Sequence, residues 1–167
     1  MIAFVVSGIP ATKGSARAVK SRSTGRPVLL ASASGKNARA QKSWAHAVGW
    51  AARQAMAGRP PIAGPVEVRC VFWLPKARTS KLETPRGDLD KLLRATWDAM
   101  TGIVFVDDVL VADAGKSCKW FAAADGMPPG ALIEIRPLGM AEGMRRADDE
   151  QRAVEIETIG TMQAVRR

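Results

Sequence analysis

The strongest constraint on the fold is a pair of segments with helical periodicity, separated by one that alternates like a strand. From Asn37 to Ala57 the chain is Ala-rich and free of Pro, and Gly58 follows as a stop. Trp44, Ala47, Val48, Ala51 and Ala55 recur there at helical steps and give an apolar face. A second helical pattern runs from Asp88 to Met100, with Leu92, Leu93, Thr96, Trp97 and Met100 on one side and Gly102 beyond its end. Between the two, Pro60-Pro61 breaks the chain and Val66 to Leu74 alternates as a strand until Pro75 stops it. Further strand-like segments are the opening residues Met1 to Val6, Val28 to Leu30, and residues 109–112, 116–123 and 131–137. Two helices with one apolar face each need a common surface to cover. The expectation is therefore an α+β domain: a small mixed, mostly antiparallel sheet with the helices near residues 37–57 and 89–101 packed on it.

Composition agrees with one such domain. A length of 167 residues and 47% hydrophobic content suffice for a core, which excludes a wholly disordered chain. No apolar run approaches the roughly 18–20 residues that cross a bilayer. The opening apolar stretch is too short for a signal-peptide core and lacks a basic segment before it, so a cytoplasmic protein is expected. Cys70 and Cys118 lie in apolar stretches without metal-ligand neighbours and read as two reduced core thiols. Residues 11–27 are rich in Ser, Thr, Gly, Lys and Arg and read as a loop or loose hairpin, with a Ser/Gly break at 32–35. Residues 138–167, after a Pro-Leu-Gly break, read as an appended charged tail, partly helical or flexible; residues 1–137 form the domain.

Charge is unevenly placed. The net formal charge is +9, yet the first 66 residues hold ten Lys and Arg and no acid. The rest of the chain is nearly neutral. A basic segment of this kind suits a polyanion, because Lys and Arg neutralise phosphates and release counterions. On the first helix, Arg39, Lys42, His46, Trp50 and Arg53 form a stripe that reads either as a phosphate-contacting face or, more simply, as a solvated one.

All the acids that matter lie elsewhere. Asp88 and Asp90 flank the start of the second helix, and Asp107-Asp108 follow about twenty residues later, after the helix and the apolar segment Ile103 to Val106. If the chain folds back, four carboxylates converge, and a hard divalent cation such as Mg²⁺ or Mn²⁺ is their natural occupant. Lys76, Lys81, Arg86, Lys91 and Arg94 surround them, so acid for a metal is set among base for phosphate. Each acid also has a plain structural explanation. Asp88 can cap the helix, Asp107-Asp108 can form a turn, and Asp98 can pair with Arg94 one turn away, which ranks it outside the first set of candidates.

The segment GDLDKLLRATWDAMTGIVFVDD resembles the signature of the RusA family of Holliday junction resolvases, in which Asp-x-Asp opens a helix with a basic residue and an Asp-Asp pair follows. The segment GIPATKGSARAV resembles that family's N-terminal Gly-x-Pro-x-x-Lys stretch, and the strand ending LPKAR stands where the family has the strand before its carboxylates. The resemblance spans roughly residues 1–137. It implies a homodimeric endonuclease that uses Mg²⁺ or Mn²⁺ to cut four-way DNA junctions by paired nicks, and it fits a phage or prophage origin. Carried over by position, Asp88, Asp90 and Asp108 are the catalytic metal ligands, Asp107 is a further candidate ligand, and Arg94 takes the place of the family's catalytic Lys. Lys91 stands where the family commonly has Asn. Arg94 keeps the positive charge, but its very high pKa makes it a poor proton donor, which leaves Lys91 as the alternative. Lys13, Arg17, Lys76, Arg86 and Lys91 are candidates for DNA contacts. Two other readings remain open: a non-catalytic basic DNA- or RNA-binding protein, and a nuclease that prefers flaps or forks.

Overall fold

The computed structural model describes residues 1–14, 17–21, 23–30, 36–122 and 126–139. Its main sheet has five strands, β1 (Ile2–Ser7), β4 (Val66–Leu74), β5 (Val111–Asp113), β6 (Cys118–Phe121) and β7 (Gly130–Pro137), while β2 (Arg17–Lys20) and β3 (Pro27–Leu30) form a separate antiparallel hairpin. Strand β7 lies between β1 and β4 and is antiparallel to both; β5 and β6 pair in parallel with β4, end to end along its other edge. The sheet is mixed, and its longer pairings are the antiparallel ones, as expected. The Ser/Gly break at 32–35 and nearly all of the appended tail lie outside the described residues.

Helices α1 (Lys36–Met56) and α2 (Leu89–Met100) cover one face of the sheet. Alternation in β4 turns Val66, Val68, Cys70, Phe72 and Leu74 towards them, joined by Ile133 and Ile135 of β7 and Val6 of β1. On α1 the buried ridge is Trp44, Val48, Ala52 and Met56, with the expected Ala47, Ala51 and Ala55 half-buried beside it. On α2 it is Leu92, Leu93, Ala95, Thr96 and Met100. Thr96, a buried polar residue, ties the helices together: Trp44 Nε1 donates to its hydroxyl at 3.2 Å, and that hydroxyl donates to Leu92 O at 2.9 Å. Both polar groups are thus satisfied without water. Burial pushes the Cys70 thiol up to about 12, so it stays protonated; Cys118 differs from the expected core thiol in being only half-buried.

Gly130 is required where β1 and β7 meet, since a Cβ there would lie 2.3 Å from Val6 O. After α2 the chain does not extend as a strand. Residues 101–106 fold back as a tight turn, buried at Val104 and Phe105, and are held to Ile62 by Ile62 N donating to Val104 O at 2.8 Å and Val106 N donating to Ile62 O at 3.0 Å. This turn decides where the acid pair goes.

Candidate active site

Helix α2 has an inner face in the core and an outer face bearing Asp90, Arg94 and Asp98, four residues apart and therefore aligned. Asp88 occupies the N-cap position with extended backbone, but its side chain makes no capping bond. It pairs instead with Lys91 one turn on, whose hydrogen bond and charge hold the Asp88 carboxyl below the usual carboxylate range and raise the Lys91 ammonium. Arg94 Nη2 stands 3.9 Å from Asp90 Oδ2, with both side chains at least half exposed.

The turn after α2 returns Asp107 and Asp108 to the second half of the helix. Asp107 Oδ1 accepts from Val109 N at 3.0 Å and caps the single 3₁₀ turn Asp108–Leu110, so the turn reading describes Asp107 well. Asp108 has no such local duty. Its carboxyl lies within hydrogen-bonding reach of both Asp98 and Asp107, and it is held above the usual carboxylate range, first by removal from water and then by those two charges. The structure therefore brings together Asp98, Asp107 and Asp108. Asp88 and Asp90 stand at the opposite end of the same helix face, Asp90 about 12 Å along the axis from Asp98 at 1.5 Å per residue.

Carboxylate oxygens are the donors that a hard divalent cation prefers. Yet among the described residues no group of three or more His, Cys, Asp or Glu side chains is placed to hold a metal ion. Each helix acid meets a cation of its own chain: Asp88 has Lys91, Asp90 has Arg94, and Asp98 has Lys13. As it stands the arrangement does not fit a bound metal.

The other candidate contacts are spread over several elements. Lys13 crosses α2, and its main-chain N donates to Lys91 O at 3.0 Å. Arg17 opens β2. Lys76 follows β4 with its ammonium 4.9 Å from the centre of the Phe121 ring. Arg86 lines a groove of about 550 Å³ with Lys81 and Phe121. Gly87, between Arg86 and Asp88, has a φ of +97°, and a Cβ there would press on Thr12 Cγ2 at 3.2 Å; the helix start and the N-terminal loop meet at a position that suits glycine.

Two residues gain weight that sequence reasoning did not give them. Asp98 pairs with Lys13 and faces Asp108, whereas the expected local partner is Arg94; its position two turns from Asp90 is the signal that places it on this face. Lys119 of β6 donates to Gly87 O and adds its charge to that of Lys91 beside Asp88. It comes from a parallel strand pairing that the sequence pattern does not specify. The stripe on α1, by contrast, is exposed along its whole length.

No described helix is long and apolar enough to cross a membrane. A search of curated proteins finds no match for the chain. The family model of the endodeoxyribonuclease RusA, however, matches residues 11–136, a span that includes α1, the whole of α2, both acid pairs and most of the sheet. The protein is thus an enzyme by family, and the chain belongs to the RusA family of endodeoxyribonucleases.

Proposed function

We propose that this protein is a structure-selective endonuclease that resolves four-way DNA junctions by paired phosphodiester hydrolysis, acting as a homodimer with Mg²⁺ or Mn²⁺. The observation that carries the reading is the outer face of α2, where Asp90, Arg94 and Asp98 alternate in charge and Asp108 folds against them, within a chain that matches the RusA model. A junction offers two strands to cut, and a twofold dimer offers two such faces.

The residues divide the work by charge. Lys91 and Arg94, both on the solvent side of α2, attract the phosphodiester to the carboxylates; Arg17, Lys76 and Arg86 extend the contact along the backbone of the DNA. In the hydrolysis the oxygen of water bonds to phosphorus, one ester P–O bond breaks, and the leaving oxygen takes up a proton. Arg94 stabilises the charge that develops on the phosphoryl oxygens and does not give up a proton. The family resemblance makes Asp88, Asp90 and Asp108 the acids of the reaction, with Asp107 peripheral because its side chain is engaged in its own turn; the described arrangement does not gather the three around one cation. A divalent cation, where bound, would supply acidified water and neutralise phosphate charge.

The test is a gel assay of purified protein on a synthetic four-way junction beside a flap, a fork and a linear duplex, with Mg²⁺, Mn²⁺ or a chelator. The expected result is symmetric nicks in opposing strands of the junction, lost with the chelator. Salt-sensitive binding without product on any substrate would make the protein a non-catalytic binder. Product mainly on flaps or forks would replace the substrate.

A further inference from the structure

The N-terminal loop is fastened across α2 at several points. Pro10 and Ala11 are buried, Gln41 Nε2 of α1 donates to Thr12 O at 2.6 Å, and Lys13 N donates to Lys91 O at 3.0 Å. The Lys13 side chain therefore starts from a fixed point on α2. Its ammonium ends on Asp98 Oδ2, and the Asp98 carboxyl in turn faces Asp108. Asp108 thus faces two other carboxyls, and acids so placed repel one another unless a cation is held beside them. Among the described residues, Lys13 is the cation paired with any of Asp98, Asp107 and Asp108.

We propose that Lys13 is a positioning residue of the cleavage site: through Asp98 it holds Asp108 in place, in addition to whatever charge it presents to DNA. The inference rests on the function proposed above. It assigns Lys13 to the acids, where its position in a basic loop suggests a phosphate contact.

The two roles separate in one set of measurements. A phosphate contact acts on affinity: Lys13→Gln would weaken junction binding, lower the salt dependence by about one counterion and leave the rate of the saturated complex unchanged. A positioning residue acts on the rate. The expected result for Lys13→Gln is a single-turnover rate at saturating junction about tenfold or more below wild type, in the range for residues that orient a ligand. Junction Kd, measured by anisotropy without divalent metal, should change by less than about twofold. Lys13→Arg, which keeps a cation on Asp98, should recover most of the rate. Adding Lys13→Gln to Asp98→Asn should slow that variant no further. A saturated rate equal to wild type, a loss confined to Kd, or an additive double variant overturns the inference.

Wild-type protein that cuts no branched DNA would instead sink the functional proposal, and thermal melting then decides the role of Lys13. If Lys13 balances the acids, Lys13→Gln lowers the melting temperature in the wild-type background and lowers it less beside Asp98→Asn or Asp108→Asn. Equal shifts in all three backgrounds would contradict it.

Discussion

The outer faces of the two helices carry similar residues and behave differently. On α1, Arg39, Lys42, His46, Trp50 and Arg53 stand in water, and none of the charged ones is in an ion pair among the described residues. On α2, Asp90, Arg94 and Asp98 have the same helical spacing, but Lys13 arrives from the N-terminal loop and Asp108 from the turn after the helix. A charged stripe becomes a candidate site when distant parts of the chain return to it. The stripe on α1 receives no such return.

The largest effect is expected from Asp108→Asn. Cutting of the junction should fall on the order of a hundredfold, while the protein becomes more stable. The sign follows from linkage. Because the Asp108 carboxyl is held above the usual range, the folded chain holds that proton more firmly than the unfolded chain, and stability is lost as pH rises from the usual carboxylate value through the raised one. At neutral pH the ionised group weighs against folding, so Asp108→Asn should melt above wild type, and the difference should disappear on acidification below the usual carboxylate range. A variant that melts lower at neutral pH would show that Asp108 is a structural turn residue after all. Asp88 has the opposite sign: its depressed carboxyl stabilises above the usual range, and the contribution is lost as pH falls.

Changes on the inner side sharpen the contrast by altering stability alone. Trp44 is fully buried, and Trp44→Ala should cost about 3–5 kcal/mol in denaturant unfolding. Thr96→Val keeps the shape but leaves Trp44 Nε1 without its acceptor, at a cost of about 1–3 kcal/mol. Rates per folded molecule should be unchanged by Thr96→Val. The smallest effect is expected on α1. Lys42→Ala combined with Arg53→Ala should alter junction affinity by less than about threefold at 0.15 M salt, where screening confines exposed charges to about 8 Å. A tenfold loss would make the α1 stripe part of the DNA surface.

The elements that sequence reveals are those whose signal is local. The inner face of α2 was legible because Leu92, Thr96 and Met100 recur at the helical period, and β4 because its side chains alternate. The Asp88/Asp90 and Asp107/Asp108 pairs stood out against a basic background. Asp98 did not, because Arg94 offered it a partner one turn away; the structure gives Arg94 to Asp90 and gives Asp98 to Lys13, 85 residues earlier. Likewise residues 103–106 read only as a short apolar segment, and hydrogen bonds to Ile62 make them a turn. That turn sets which end of α2 the acid pair meets, and no periodicity encodes it.

The acids along the outer face of α2 are proposed to carry out DNA cleavage. The most direct measurement is single-turnover cleavage of a four-way junction by Asp90→Asn, with junction binding and melting measured on the same preparation. Asp90 is exposed, so the substitution leaves the fold intact. Asp90→Asn is expected to fold, to bind the junction as wild type does and not to nick it. A folded Asp90→Asn variant that nicks the junction at the wild-type rate would contradict the proposal.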